Sequence, residues 1–90
     1  MDQNKIALIT GAGRGLGAAV SEYMYSHGMR VILVDKDKIN LKNFSAKNEN
    51  ILSYQVDVSK RMEVKKMFAS AYERFKQIDY LINFAGINRD

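Results

Sequence analysis

Residues 10–17, Thr-Gly-Ala-Gly-Arg-Gly-Leu-Gly, place four glycines within seven positions, between a short apolar run and a helical repeat. The run, residues 5–9 (Lys-Ile-Ala-Leu-Ile), reads with Thr10 as a short, fully buried strand. Behind the glycines, apolar residues recur at Leu16, Ala19, Val20, Tyr23 and Met24, which is helical spacing. A glycine-rich corner at a strand-to-helix junction leaves backbone bare, and bare N–H groups at a helix N-terminus form an anion site. The anion such a corner suits is the pyrophosphate of a dinucleotide. The competing reading is a glycine-rich structural turn.

The rest of the chain alternates strand and helix. Gly28 is a helix stop, because glycine accepts the left-handed backbone that closes helices. Residues 30–34, Arg-Val-Ile-Leu-Val, form a second strand rich in β-branched side chains. Asp35 and Asp37 can cap a following helix with Ile39, Leu41 and Phe44 turned inward. Residues 51–56 are a third strand, and Ser59 is a good N-cap for the helix after it. In that helix Val64, Met67, Phe68, Ala71 and Phe75 step by three and four. Residues 78–84 are a fourth strand, ending at Ala85-Gly86. Four strands and three helices in the order βαβαβαβ predict an α/β fold with a parallel sheet and right-handed crossovers. This is the first part of a Rossmann-type doubly wound fold, whose ligands bind at the carboxyl ends of the strands. Residues 1–90 are expected to be a single, incomplete dinucleotide-binding domain.

Composition removes several other functions. There is no cysteine and only one histidine, and the carboxylates do not cluster, so no metal site is expected. His27 falls at a helix C-terminus, where the dipole favours it, and reads as structural. The five methionines fall mostly at helical apolar positions and read as core filler. The net charge of +4 is scattered among acids, which reads as a solvated surface rather than a nucleic-acid interface. No apolar run approaches the ~20 residues of a membrane span. The polar start lacks the pattern of a signal peptide, so a cytoplasmic protein is expected.

The strict G-x-G-x-x-G spacing fails from Gly11, because Leu16 takes its last place, and passes from Gly13 only with Ala18 as the terminal small residue. The pattern T-G-x-x-x-G-x-G is met by Thr10, Gly11, Gly15 and Gly17. A P-loop is excluded because no lysine follows the glycines. Gly11 provides the tight turn; Gly15 and Gly17 let backbone approach a pyrophosphate and let the helix pack on the sheet, so a side chain at either would stand in the way. Asp35 ends the second strand eighteen residues after Gly17, where a carboxylate can accept bonds from both hydroxyls of an adenosine ribose. It would repel a 2′-phosphate, which favours NAD over NADP. Arg14 and Lys36 work the other way, since either can reach toward a 2′-phosphate. The alternative role for Asp35 is a plain helix cap.

Taken together, these residues resemble the short-chain dehydrogenase/reductase family, over essentially the whole chain. Asp57-Val58 follows the third strand where that family places an acid and an apolar residue around the adenine. Residues 79–86, Asp-Tyr-Leu-Ile-Asn-Phe-Ala-Gly, look like its fourth strand and N-N-A-G turn, with Phe84 in place of the second asparagine and Asn83, Ala85 and Gly86 retained. Ile87-Asn88-Arg89-Asp90 is similar to the continuation in the 3-oxoacyl-[acyl-carrier-protein] reductase branch, whose members usually use NADPH, against the reading of Asp35. Lys76 stands where the family often has glycine. The resemblance implies that the cofactor is held by Gly11, Gly13, Arg14, Gly15, Leu16, Gly17, Asp35, Lys36, Asp57, Val58, Asn83, Ala85 and Gly86.

The resemblance also implies hydride transfer between nicotinamide and a carbonyl or secondary alcohol. The family's catalytic Ser and Tyr-x-x-x-Lys pair lie well past the fourth strand, so none is expected within these ninety residues. Tyr72 and Lys76 match that spacing, but they lie on the helix before the fourth strand. The expectation is therefore the cofactor-binding portion of an oxidoreductase, as a fragment or truncated product, with substrate and homo-oligomer contacts belonging to a longer parent. The alternatives are a stand-alone, non-catalytic dinucleotide-binding module, or assembly with a complementary chain through an open sheet edge. Leu81, Ile82 and Phe84 would make that edge hydrophobic, and self-association of the isolated chain is expected.

Overall fold

Four apolar runs pair into one parallel sheet in the computed structural model, which describes residues 4–42, 44 and 49–85. The elements are β1 (Ile6–Thr10), α1 (Gly15–Ser26), β2 (Arg30–Asp35), β3 (Ile51–Gln55), α2 (Arg61–Phe75) and β4 (Tyr80–Asn83). The strand order is β3-β2-β1-β4, with every neighbouring pair parallel. Thr10 is in register with Val34 on one side and Asn83 on the other. The chain steps outward from β1 to β3, then returns to lay β4 against the free side of β1. That reversal makes the carboxyl end of β1 and β4 a topological switch point, where open α/β sheets bind ligands.

Side chains alternate across the pleat, so each strand feeds two cores. Ile6, Leu8, Ile32, Val34 and Leu52 meet Met67, Ala71 and Phe75 of α2 on one face. Ala7, Ile9, Val31 and Leu33 form the other with Ala12 and Met29, flanked by Met24 and Tyr25 of α1. Each fully buried Val, Leu or Ile contributes about 1.5–3 kcal/mol of transfer free energy.

The two helices meet the sheet differently. α2 buries Met67, Ala71 and Phe75 of the stripe that its spacing predicts, with Val64 and Phe68 half-buried. α1 buries Gly17 and Ser21, while Leu16 and Tyr23 of the expected apolar stripe are exposed. Small residues line its inner face because the helix start lies against the glycine corner. The Ser21 hydroxyl is satisfied by donating to the Gly17 carbonyl at 2.7 Å.

Three local expectations are corrected. The helix expected after Asp35 is not seen among the described residues between β2 and β3. Two side chains compete with a helix for backbone N–H groups there: Asp35 accepts from Asp37 N–H at 3.0 Å, and Asn40 accepts from Lys42 N–H at 2.9 Å. Ile39 and Phe44 still pack on the α1 side of the sheet, and the Phe44 ring meets Tyr25 edge-on at 5.1 Å. Ser59 is not the N-cap of α2, which is Lys60. The Ser59 hydroxyl and N–H are both drawn to Asp57 Oδ1, at 2.7 and 2.9 Å. Of the three apolar residues expected at the β4 edge, Leu81 opens outward at 63% exposure, while Ile82 and Phe84 pack against the α1-side core.

Candidate dinucleotide site at the carboxyl ends of the strands

The chain leaves β1 through Gly11, whose φ of 69° lies in the left-handed region that glycine tolerates. Ala12 N–H then donates to the Val34 carbonyl at 3.1 Å, and Gly13 N–H donates to Asp35 Oδ2 at 2.8 Å. Two successive bonds thus tie the corner to the end of β2. Arg14 is extended and caps α1 without a side-chain bond. The first helical bond at the corner runs from Ala18 N–H to Arg14 O at 3.3 Å, so the N–H groups of Gly15, Leu16 and Gly17 precede the helical ladder. No acidic residue lies in this first turn, and Leu16 projects from it at 63% exposure.

The glycines serve different purposes. A Cβ on Gly17 would stand 2.0 Å from the Gly11 carbonyl oxygen, so the close approach of helix to corner requires glycine there. A Cβ on Gly11 would stand 2.9 Å from the backbone of residues 84 and 85. At Gly15 the protein itself leaves room, so a side chain there would obstruct only a bound group. No atom lies within 4 Å of its Cβ position, and its φ of 59° is what favours glycine. The space beside it is open.

The turn after β4 is bound into the same corner. The Thr10 hydroxyl donates to Asn83 Oδ1 and accepts from Ala85 N–H at 3.2 Å; Ala85 N–H also reaches Asn83 Oδ1 at 3.2 Å. Phe84 N–H donates to the Thr10 carbonyl at 3.1 Å. Phe84 therefore fills the second asparagine's place without breaking the turn. Sequence reasoning used Thr10 only as a motif letter; its neighbour role becomes visible once Thr10 and Asn83 are placed at the tips of adjacent strands. Gly86 lies outside the described residues.

Asp35 stands half-buried at the tip of β2, with Gly13 N–H on one oxygen and Asp37 N–H on the other. It caps no helix. Arg14 forms an exposed ion pair with Asp37 at 3.6 Å, which brings the two charged neighbours of Asp35 together. Lys36 is exposed, and its carbonyl accepts from the Gln55 side chain at 3.2 Å. Beyond β3, the Ser59 hydroxyl and N–H hold the Asp57 carboxyl below its ordinary value, against partial desolvation and with help from the charges of Lys60 and Lys36. Both Ser59 bonds fall on Oδ1. Val58 follows, 41% exposed.

Tyr72 and Lys76 lie at the other end of the sheet. Lys76 closes α2 in the left-handed region at φ 69°, with its N–H on the Tyr72 carbonyl at 2.7 Å. The pair is a helix terminus, which also explains why glycine suits this position. His27 likewise sits at the end of α1, its Nδ1 2.8 Å from the Tyr23 carbonyl and its ring against Tyr23. Among the described residues no group of three metal-ligating side chains converges, and no helix is long and apolar enough to cross a membrane.

The site can therefore offer bare backbone, N–H groups at a helix start, and two carboxylates, one at the tip of β2 and one just past the end of β3. Known proteins carry a similar sequence and shape. Short-chain reductase protein NovJ of Streptomyces niveus is 38% identical over all of this chain and 36% of its own length. The 3-ketoacyl-(acyl-carrier-protein) reductase of Brucella melitensis, solved with NADH, superposes with a TM-score of 0.77 at 31% identity, over 88% of this chain and 33% of its own. A variant of ElxO solved with NADPH gives a TM-score of 0.81 at 30% identity, over 97% of this chain and 37% of its own. The chain thus spans a little over a third of the length of the curated relatives it matches. From residue 5 to residue 90 its sequence fits the pattern of the short chain dehydrogenases, and with the corner, the strand order and the Asn83 turn in place, the chain belongs to that family.

Proposed function

We propose that this chain supplies the NAD-holding portion of a short-chain oxidoreductase, one that moves hydride between nicotinamide and a carbonyl or secondary alcohol. The carrying observation is Asp35 at the tip of β2, its carboxylate held beside the glycine corner by Gly13. The residues fit a dinucleotide. The space beside Gly15 is open, and the N–H groups of Gly15, Leu16 and Gly17 precede the helical ladder, which suits a pyrophosphate. Asp35 would accept from the adenosine ribose, with Arg14 and Lys36 flanking it. Asp57 and Val58 would border the adenine. Asn83, Ala85 and the turn toward Gly86 would line the side nearer the nicotinamide. The cofactor, when bound, supplies or accepts the hydride; these residues bind and orient it. The proton-transferring groups of the reaction are not among them.

Asp35 argues for NAD, because a 2′-phosphate would meet a carboxylate at the ribose. Family membership alone does not choose, since solved relatives carry NADH or NADPH. Acyl-thioester ketones are one substrate class in keeping with the resemblance to 3-oxoacyl reductases.

Melting this chain with each dinucleotide tests the reading. NADH raises the melting temperature more than NADPH does at equal concentration. Asp35→Ala removes a charge-assisted acceptor, about 1.5–3 kcal/mol, so NADH affinity falls about tenfold to a hundredfold and the preference narrows or reverses. An unchanged preference in that variant removes the role given to Asp35.

A further inference from the structure

A carboxylate has about four lone-pair sites, two on each oxygen. At Asp35 two backbone donors occupy them unequally in origin but evenly in number: Gly13 N–H on Oδ2 at 2.8 Å, and Asp37 N–H on Oδ1 at 3.0 Å. One site per oxygen remains, the number that a pair of vicinal hydroxyls needs. The donors come from different elements. Asp37 fixes the carboxylate to its own strand end, whereas Gly13 fixes it to the glycine corner. The position of Gly13 is also sterically special. A Cβ there would stand 2.8 Å from Asp35 Oδ2 and 3.0 Å from its carboxyl carbon. The backbone at 13 is not in the left-handed region, so the bare Cα is not explained by φ. Nor does residue 13 belong to the T-G-x-x-x-G-x-G set, in which it is one of the unspecified places.

We propose that Gly13 is a specificity-determining residue: its N–H and its missing side chain hold the Asp35 carboxylate in the one setting that receives a ribose diol and turns away a 2′-phosphate. This rests on the reading of Asp35 as the ribose acceptor. Gly13 acts through Asp35 and is a positioning residue. A methyl at 13 pushes the carboxylate off the corner, loosens its hold on the two hydroxyls, and moves the negative charge away from the 2′ position. Both effects reduce the preference for NADH over NADPH.

The test is a double-mutant cycle on this chain with Gly13→Ala, Asp35→Ala and the double variant, reading dissociation constants for NADH and NADPH by nucleotide fluorescence. Gly13→Ala lowers the NADH:NADPH preference about tenfold, the scale of one charge-assisted hydrogen bond. In the Asp35→Ala background the same change leaves the preference as it was, because the group that Gly13 positions is gone. A uniform loss of both affinities in Gly13→Ala, with the ratio unchanged, overturns the proposal, since that is what damage to the corner alone produces. An equal change of the ratio in both backgrounds overturns it too. If Asp35→Ala alone leaves the ratio at the wild-type value, the reading of Asp35 itself has failed, and this outcome is separable from the others. Amide spectra of each variant check that β1 and β2 remain paired.

Discussion

Each end of the sheet has an aspartate that accepts a backbone N–H from a different element, and the two behave differently. At the amino end, Asp79 Oδ2 takes the Ile6 N–H at 2.9 Å and the Gln77 amide at 2.8 Å, with Lys5 4.0 Å from its other oxygen. Asp79 returns its own N–H to the Ile6 carbonyl at 2.8 Å, closing the β1–β4 ladder. Nearby, the Arg30 guanidinium covers the Phe75 ring at 5.1 Å. Gln77 and Lys5 side chains thus flank this carboxylate. At the carboxyl end, Asp35 receives two backbone donors, one per oxygen, and faces a corner whose glycines keep side chains away. The same residue type therefore serves as a clamp at one end and as an unfilled acceptor at the other. Each accepts two bonds; the distinction lies in where they fall and what stands beside the rest, both on one oxygen with Lys5 near the other in Asp79, one on each oxygen beside bare glycine backbone in Asp35.

Perturbing the two ends should separate stability from binding. The largest effect is expected from Gly17→Ala, whose methyl cannot coexist with the Gly11 carbonyl at 2.0 Å. Helix and corner must part, at a cost of about 3 kcal/mol or more, and both urea midpoint and dinucleotide affinity fall. Wild-type stability in the Gly17→Ala variant would show that α1 does not need its close seat. Asp79→Asn is expected to lower the melting temperature without moving the NADH:NADPH preference. Its effect should depend on pH. The Ile6 N–H, aided by Gln77, Lys5 and Arg30 and opposed by desolvation, holds the Asp79 carboxyl below its ordinary 3.8. The stabilisation is thus present above the unfolded value and is lost as pH falls through the lowered folded value. Melting curves of wild type and variant should accordingly converge in acid, below about pH 4. The smallest effect is a gain. Lys76→Gly relieves a left-handed lysine at φ 69° and should stabilise the chain by roughly 0.5–1 kcal/mol, with binding unaffected.

The strands were legible because buried parallel strands are written as apolar runs: every residue of Ile6–Thr10 is buried, as its composition announces. The amphipathic stripe of α2 was equally plain. What escaped the sequence was competition among polar side chains. Asp35 and Asn40 each satisfy a backbone N–H two residues on, so a segment with inward apolar residues forms no helix across its described part. Ser59 looks like a cap, but the preceding Asp57 is the stronger acceptor for its hydroxyl. The inner face of α1 was misjudged for a steric reason. Closeness to the corner selects Gly17 and Ser21 over larger apolar residues, and periodicity of hydrophobicity is blind to that. At the site itself, the tight turn at Gly11 and the close helix seat at Gly17 were legible, whereas the bond from Gly13 to Asp35 had no sequence signal beyond a glycine at an unspecified place.

The Thr10 hydroxyl and the Asn83 amide belong to positions 73 apart along the chain. Closing so wide a loop is entropically costly, and contacts of this separation form slowly. A polypeptide emerging from the ribosome thus makes its glycine motif almost at once but cannot finish it. The cradle is complete only when the strand synthesised seventy-odd residues later docks beside the first. On the proposed function, dinucleotide binding would therefore await the docking of Asn83, and a nascent chain halted before it would carry the fingerprint without the grip.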